Sequence, residues 1–327
     1  MPLRTYIIRR LLIMVPTFFL VTALVFTLIH LAPGDPALLL LVMGGKPGTS
    51  SESVEAVKEE LGIGKPVYVR YVMWLGKFLR GDLGSSYITG QPTIRMITDR
   101  LWWTLELMMV TVTVSLVLAV VLGVIAAVKH PSLIDAGTSL LAVVGYSLPS
   151  FWISLELLLV FSFLLGWFPS FGARTHGTTF PSFLDALLDH LRHLALPVIS
   201  LTVGWVAYDF RLVRSSMLEV LGQDYIVTAR AKGLKERVVI YKHALRNALL
   251  PLVTSLGYTV GFLLGGAVVI ETIFSWPGLG KFAVDAALRR DYFPLLGFSA
   301  IIAMMVLLAN LCADIAYAIV DPRIRYD

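Results

Sequence analysis

The sequence is poor in what an aqueous protein depends on. Charged residues make up 15% of its 327 positions, against about 25% in soluble domains. The remainder is dominated by hydrophobic residues, 57% of the chain, and the mean hydropathy is +0.79. A soluble globular domain is therefore excluded, and an integral membrane protein is expected. Cysteine occurs once, at Cys312, so no internal disulfide can form. Its place in an apolar run predicts a buried thiol. The phosphate-cradling pattern G-x-x-x-x-G-K-[ST] is missing, since Gly44-Gly45-Lys46-Pro47 and Gly280-Lys281-Phe282 both fail it. The chain is not expected to hydrolyse ATP itself. Neither a G-x-S-x-G elbow nor an H-E-x-x-H pair occurs, which argues against an intramembrane hydrolase. No basic and aromatic surface stands apart from the apolar runs, so the net charge of +5 points to orientation and membrane lipid, not nucleic acid.

What is present is a series of apolar runs. Met1 to Arg10 carries Arg4, Arg9 and Arg10, and the run from Leu11 to Leu31 is long enough to cross about 30 Å of hydrocarbon. It is too long for a signal-peptide core, and no small-x-small cleavage site follows it. His30 reads as an interfacial polar residue. A polar stretch, 32–100, comes next. Pro33-Gly34-Asp35-Pro36 ends the first helix. Val54, Val57 and Leu61 form one helical stripe, closed by Gly62. Val67, Tyr71, Trp74, Leu75 and Phe78 form another, with Lys65, Arg70, Lys77 and Arg80 nearby. The segment either lies on the outer membrane surface or packs as a small external subdomain.

Five further spans follow from the pattern. Leu101 to Val128 carries Glu106 near its outer end. Ala136 to Pro169 reads as one kinked span, interrupted at Pro149, with Glu156 inside it. Ser170 to Arg192 reads as an external loop, in which His190, with His193 just beyond, shares a helical face without a third ligand nearby. The fourth span runs from Leu194 to Phe210, with Asp209, Arg211 and Arg214 at its inner boundary. Leu249 to Ile270 holds no charge, and Gly257, Gly261 and Gly265 give it a small-residue packing face. Glu271 to Asp291, with SWPGLGKF, reads as a turn-rich or re-entrant segment. The last span, Tyr292 to Val320, contains Asn310 and Asp314. The organisation is thus a first span at 1–31, an extracytoplasmic segment at 32–100 and a helical core at 101–327.

Between the fourth and fifth spans lies a basic island, DYIVTARAKGLKERVVIYKHALRNALLP, from Asp224 to Pro251. Arg230, Lys232, Lys235, Arg237, Lys242 and Arg246 face only Asp224 and Glu236. Such a loop belongs on the cytoplasmic side. Ala229, Ala231 and Gly233 allow a tight turn between two short helices and close approach by another protein. Six spans with both termini inside place 14 Lys and Arg inside and 5 in the two short outer loops. The 8 in the long segment are set aside, because long loops translocate regardless of charge.

At this island the chain resembles the permease subunits of ABC importers of the dipeptide/oligopeptide type. The segment 224–248 looks like their cytoplasmic EAA coupling loop. Thr228 and Ala229 stand at its two alanine positions and Gly233 at its glycine. Val227 stands where glutamate is frequent, and Pro251 lies further from the glycine than in the short form. LAPGDP near the start and RGDLGSS at Arg80 to Ser86 resemble signatures of one of the two peptide-permease subunits. The resemblance implies an all-α, six-span, type I ABC-importer permease fold in the cytoplasmic membrane of a prokaryote. It also implies a second homologous permease, two cytoplasmic ATPase subunits that bind ATP and Mg, and an extracytoplasmic substrate-binding protein. In this reading Thr228, Ala229, Arg230, Ala231, Lys232, Gly233, Leu234, Lys235 and Arg237 receive the push of the ATPases, and transport proceeds by alternating access. The cargo would be di- or oligopeptides, with nickel and oligosaccharides as alternatives within the class.

Acids inside spans are costly and should face an interior, a partner or an interface. Glu106, Glu156, Asp209 and Asp314 qualify. Glu156, Asn310 and Asp314 are candidates for a polar translocation path or for inter-helix hydrogen bonds. The rival class is an ion-coupled secondary transporter, which would need such acids and no ATPase. A membrane enzyme is disfavoured because no nucleophile stands out.

Overall fold

A computed structural model describes residues 3–31 and 65–320; at 3–6, 254, 256–266, 313, 314 and 316–320 it describes the backbone alone. The stripe at Val54 to Leu61, LAPGDP beyond Leu31 and the DPRIRYD end therefore lie outside the described residues. No strand occurs among those described, only an isolated bridge between Ser85 and Pro92. The elements are α1 (Leu3–Leu31), α2 (Val67–Phe78), α3 (Thr93–Val128), α4 (Leu133–Ser147), α5 (Ser150–Leu157, continuing as a π-helical segment Leu158–Leu164) and α6 (Phe183–Leu221). Then come α7 (Asp224–Ala231) and α8, which runs through Glu236–Val238, a π-helical segment Val239–Ala244 and Leu245–Ala248. The chain closes with α9 (Leu250–Ile273), α10 (Leu279–Leu288) and α11 (Tyr292–Val320).

Among the described residues, four stretches are single helices long and apolar enough to cross a membrane: Ile7–Leu31, α3, α6 and Tyr292–Cys312. The pair α4 and α5 passes the same test together and is bent by 100°. Pro149 is the cause. It has no N–H to give the carbonyls of the preceding turn, its ψ of 135° is extended, and it caps α5. The expected break is present, but it is a sharp corner and not a gentle kink. α9 adds 24 residues, uncharged as far as Glu271.

Several boundaries differ from the sequence reading. α3 starts at Thr93 and not Leu101, because Pro92 opens the helix and the charged turn Arg95 to Arg100 continues it beyond the apolar part. The supposed loop before Leu194 is half helix: α6 begins at Phe183, with the Ser182 hydroxyl accepting from the Asp185 N–H. Hydropathy marks where a helix is greasy, and helices continue past that point. The turn-rich segment after Ile270 likewise contains a ten-residue helix, α10. Cys312 is exposed in this chain, contrary to the expected buried thiol. In a membrane protein an apolar run need not be covered by its own chain, since lipid or another subunit can cover it.

The bundle is centred on α3 and α6, which run side by side. At one end Leu107 packs with Leu194, Leu196, Leu201 and Ile270 under Phe274 and Trp276. At the other end Val124 and Ala127 of α3 meet Val213 and Met217 of α6 beneath the basic island. Polar side-chain links fasten both ends. His190 of α6 joins Glu106 of α3 at 2.6 Å, and Arg214 of α6 donates to Asp135 at the start of α4 at 2.8 Å, with His130 as a second partner of Asp135 at 2.7 Å.

Candidate functional site

The island folds as two short helices about a glycine. α7 ends where Gly233 takes a φ of +74°, a left-handed conformation that costs a side-chain-bearing residue about 1–2 kcal/mol. The Gly233 N–H still reaches the Arg230 carbonyl at 2.9 Å, and the Leu234 N–H reaches that of Ala229. Across this turn the Arg230 guanidinium donates to the Glu236 carboxylate at 2.8 Å. The pair holds the Glu236 carboxyl below, and the Arg230 guanidinium above, its ordinary value. A second tie joins the helices further back, where the Asn247 amide donates to the Tyr225 hydroxyl at 2.8 Å.

Only one side of this unit is anchored. Ile226 and Ala229 of α7, with Val239, Ile240, Ala244 and Ala248 of α8, are buried against α3 and α6. Ala229 is thus the member of the predicted coupling set that packs inward. Thr228, Arg230, Ala231, Lys232, Gly233, Leu234, Lys235 and Arg237 are all exposed. So are Tyr225, Val227, Val238 and Tyr241, large hydrophobic residues on the same segment. A rigidly seated unit with an outward face of small, basic and apolar side chains can transmit force to the helices beneath it. No group of three or more His, Cys, Asp or Glu able to hold a metal exists here or elsewhere among the described residues.

The opposite end of the bundle holds a buried carboxylate that sequence reasoning missed. Glu271, in the last turn of α9, is fully buried. Its carboxylate accepts from the Thr104 hydroxyl at 2.7 Å, the Gly280 N–H at 2.6 Å and the Lys281 N–H at 3.1 Å. It therefore caps α10, taking up amide protons that the helix start cannot use. A Cβ on Gly278 would strike this carboxylate, and one on Gly280 would strike the carboxylate and the Val268 backbone. The PGLG of SWPGLGKF makes room for Glu271. Trp276 is wholly buried beside it and donates from Nε1 to the Trp103 carbonyl at 3.0 Å. RGDLGSS has a matching role. Ser86 Oγ donates to Asp291, the Tyr87 N–H donates to the same carboxylate at 3.2 Å, and Leu83 is buried. Burial pushes the Asp291 carboxyl up. The spaced glycines after a buried acid were a signal in the sequence, but nothing local named Glu271 as their partner.

The other predicted residues are not brought together. Glu156 lies half-buried on α5, with no hydrogen bond or ion pair among the described residues. Asn310 is exposed on α11. The side chain of Asp314, and the surroundings of Gly257, Gly261 and Gly265 on α9, lie outside the described residues. Asp209 is buried and takes a hydrogen bond from Ser255 of α9. His190 and His193 are buried on α6: His190 bonds the Ala173 carbonyl as well as Glu106, and His193 pairs with Asp189.

Residues 119–326 match the family described as binding-protein-dependent transport system inner membrane component, and residues 3–108 match its N-terminal companion. The oligopeptide transport system permease protein AppB of Bacillus subtilis (strain 168) is 44% identical over 98% of this chain and 99% of its own length. The di/tripeptide transport system permease protein DppB of Pseudomonas aeruginosa (strain UCBPP-PA14) is 41% identical, with 98% and 99% covered. Among solved structures, an inward-facing MetNI methionine ABC transporter aligns with a TM-score of 0.55 at 19% identity, covering 69% of this chain and 96% of that one. That likeness concerns the fold. Long apolar helices, the seated helix pair around Gly233 and these matches over nearly the whole chain converge: the chain belongs to the family of binding-protein-dependent transport system inner membrane components, as a multi-pass permease of the peptide-transport type and not a catalytic subunit.

Proposed function

We propose that this chain is one of two permeases in an ATP-driven importer that carries di- or oligopeptides across the inner membrane of a prokaryote. α1, α3, the α4–α5 pair, α6, α9 and α11 are its six spans, and both termini and the basic island lie in the cytoplasm. The observation that carries the reading is the helix pair about Gly233, anchored below by Ile226, Ala229 and Val239 and open above. Two ATPase subunits, which bind the ATP and Mg, dock on Val227 to Arg237. Their closure pushes α7 and α8, and α3 and α6 tilt with them because the interface is close-packed. The binding protein delivers substrate at the Glu271 end. Glu156 and Asn310 line the path or meet the sister permease there. The names of the relatives support a peptide cargo.

Cross-linking tests this. With Cys312 replaced by serine, Val227→Cys and Leu234→Cys, both exposed, should form nucleotide-dependent cross-links to cysteines in the ATPase groove. Vesicles carrying the assembled complex should take up labelled dipeptide only when ATP is supplied on the ATPase side. Uptake driven by an ion gradient without ATPases, or an island labelled from outside the cell, would overturn the assignment.

A further inference from the structure

Near the island, α3 and α6 meet with no slack. A Cβ on Gly123 of α3 would come within 2.8 Å of Val213 Cγ1 and 3.3 Å of the Arg214 backbone nitrogen on α6. Val213 and Met217 also pack with Ile226 and Val239 of the island, so island, α3 and α6 form one stiff body here. α4 lies against this body with little grip on it. Of its 15 residues, Asp135, Ala142 and Gly145 are buried. Ala142 meets Ala119, Ala126, Ala207 and Phe210, and Gly145 comes against Val203. Such small residues let backbones approach closely, but they raise no ridge that could interlock with a facing groove. The Thr138 and Ser147 hydroxyls bond carbonyls within α4. Beside these contacts a cleft opens, with Val143 and Tyr146 of α4 on one side and Tyr208 and Arg211 of α6 on the other. At its far end α4 meets the 100° corner before α5, where Pro149 interrupts the hydrogen bonding that would make the two helices move as one.

Asp135 supplies the directional hold that this packing lacks. Its carboxylate accepts from both Nε and Nη2 of Arg214, the latter at 2.8 Å, and lies 2.7 Å from His130 Nδ1. A two-point contact between guanidinium and carboxylate fixes orientation as well as distance. Arg214 directly follows Val213, so the link leaves α6 from the stretch that seats the island. We propose, resting on the island as the ATPase contact, that Arg214 and Asp135 are positioning residues for transport. Their pair carries the island's movement from α6 into α4 and stays closed throughout the cycle. Without it the ATPases still move α3 and α6, but α4 slips along its smooth side and lags behind. Hydrolysis then continues without transport.

Breaking the pair and then replacing it covalently tests this. The full chain carries Cys312→Ser and is assembled with its partner subunits in vesicles. Asp135→Asn should lower ATP-dependent uptake of labelled dipeptide about tenfold, while ATP hydrolysis stays near the parent rate. Asp135→Cys combined with Arg214→Cys should behave alike. Bridging the two thiols with a short bifunctional methanethiosulfonate should restore uptake, and a reductant that removes the bridge should abolish it again. Normal uptake by Asp135→Asn would overturn the proposal. So would uptake, hydrolysis and thermal midpoint falling together without rescue by the bridge, which is the pattern of residues needed for folding alone. A bridged complex that hydrolyses ATP and does not transport would show a pair that has to open, and would overturn it equally. ATP-independent uptake by the Cys312→Ser parent would instead overturn the island's role, on which the proposal rests.

Discussion

Gly233 and Gly280 sit at opposite ends of the bundle, each beside a lysine, the first in the turn between α7 and α8 and the second in the first turn of α10. Their reasons for being glycine are opposite. Beyond Gly233 itself and its two chain neighbours, no described atom lies within 4 Å of where a Gly233 Cβ would stand, and its φ is +74°. A Cβ at Gly280 would instead collide with the Val268 backbone and the Glu271 carboxylate, at an ordinary φ. One glycine is needed for its backbone and leaves open space above it. The other is needed for its missing side chain, because the space is already filled. The end of the bundle with the open glycine can receive another protein. The end with the filled one is closed around its own buried acid.

The largest expected effects come from filling or emptying the closed end. Gly280→Val should cost about 3 kcal/mol through overpacking against an element that cannot retreat. Glu271→Ala should cost a similar amount, about 3 kcal/mol, by leaving the Thr104 hydroxyl and the α10 amides unsatisfied. Glu271→Gln, whose amide oxygen still accepts, should cost less. Thermal unfolding of the detergent-solubilised complex checks all three, and an unchanged midpoint for Glu271→Ala would break the contrast.

Gly233→Val should lower stability by only about 1–2 kcal/mol, the cost of a left-handed residue, yet abolish ATP-dependent uptake in a complex that still assembles. Uptake at the normal rate would remove the island from the mechanism. Smaller still is the Arg230–Glu236 pair, whose side chains are 43% and 54% exposed. Glu236→Gln should change stability by less than about 1 kcal/mol, read as a shift in unfolding midpoint.

The smallest effect distinguishes the ends by sign. Glu236 has a lowered folded value, so its contribution is present above the unfolded carboxylate value of about 4 and is lost as pH falls through the folded one. Asp291 has a raised folded value, so its contribution is present below the unfolded value and is lost as pH rises through the folded one. The midpoint difference between wild type and Glu236→Gln should therefore shrink on acidification, and that between wild type and Asp291→Asn should shrink as pH rises. Equal signs would mean that the two carboxylates sit in similar surroundings.

Much of the fold was legible because hydrocarbon imposes it. Apolar runs of about twenty residues must be helices in lipid, Pro149 must interrupt one, and a basic loop with Ala229 and Gly233 must turn. The misplaced boundaries at Thr93 and Phe183 share one cause: helical hydrogen bonding continues past the point where the side chains become polar. The partners of His190, Glu106 and the Ala173 carbonyl, are distant in the chain, and no local pattern pointed to them. Cys312 was misread because apolarity fixes the solvent a residue prefers and not which molecule provides it.

The sequence alone determined that the chain crosses a membrane by helices, where those helices break, and that the island is basic and hinged at a glycine, since hydropathy, proline and charge act locally. Only the tertiary structure decided that Glu271 fills the space left by Gly278 and Gly280, that Arg214 and Asp135 clasp α6 to α4, and that Ala229 faces inward while its neighbours face out. Those facts depend on residues far apart in the chain being brought within a few ångströms, which no local pattern encodes.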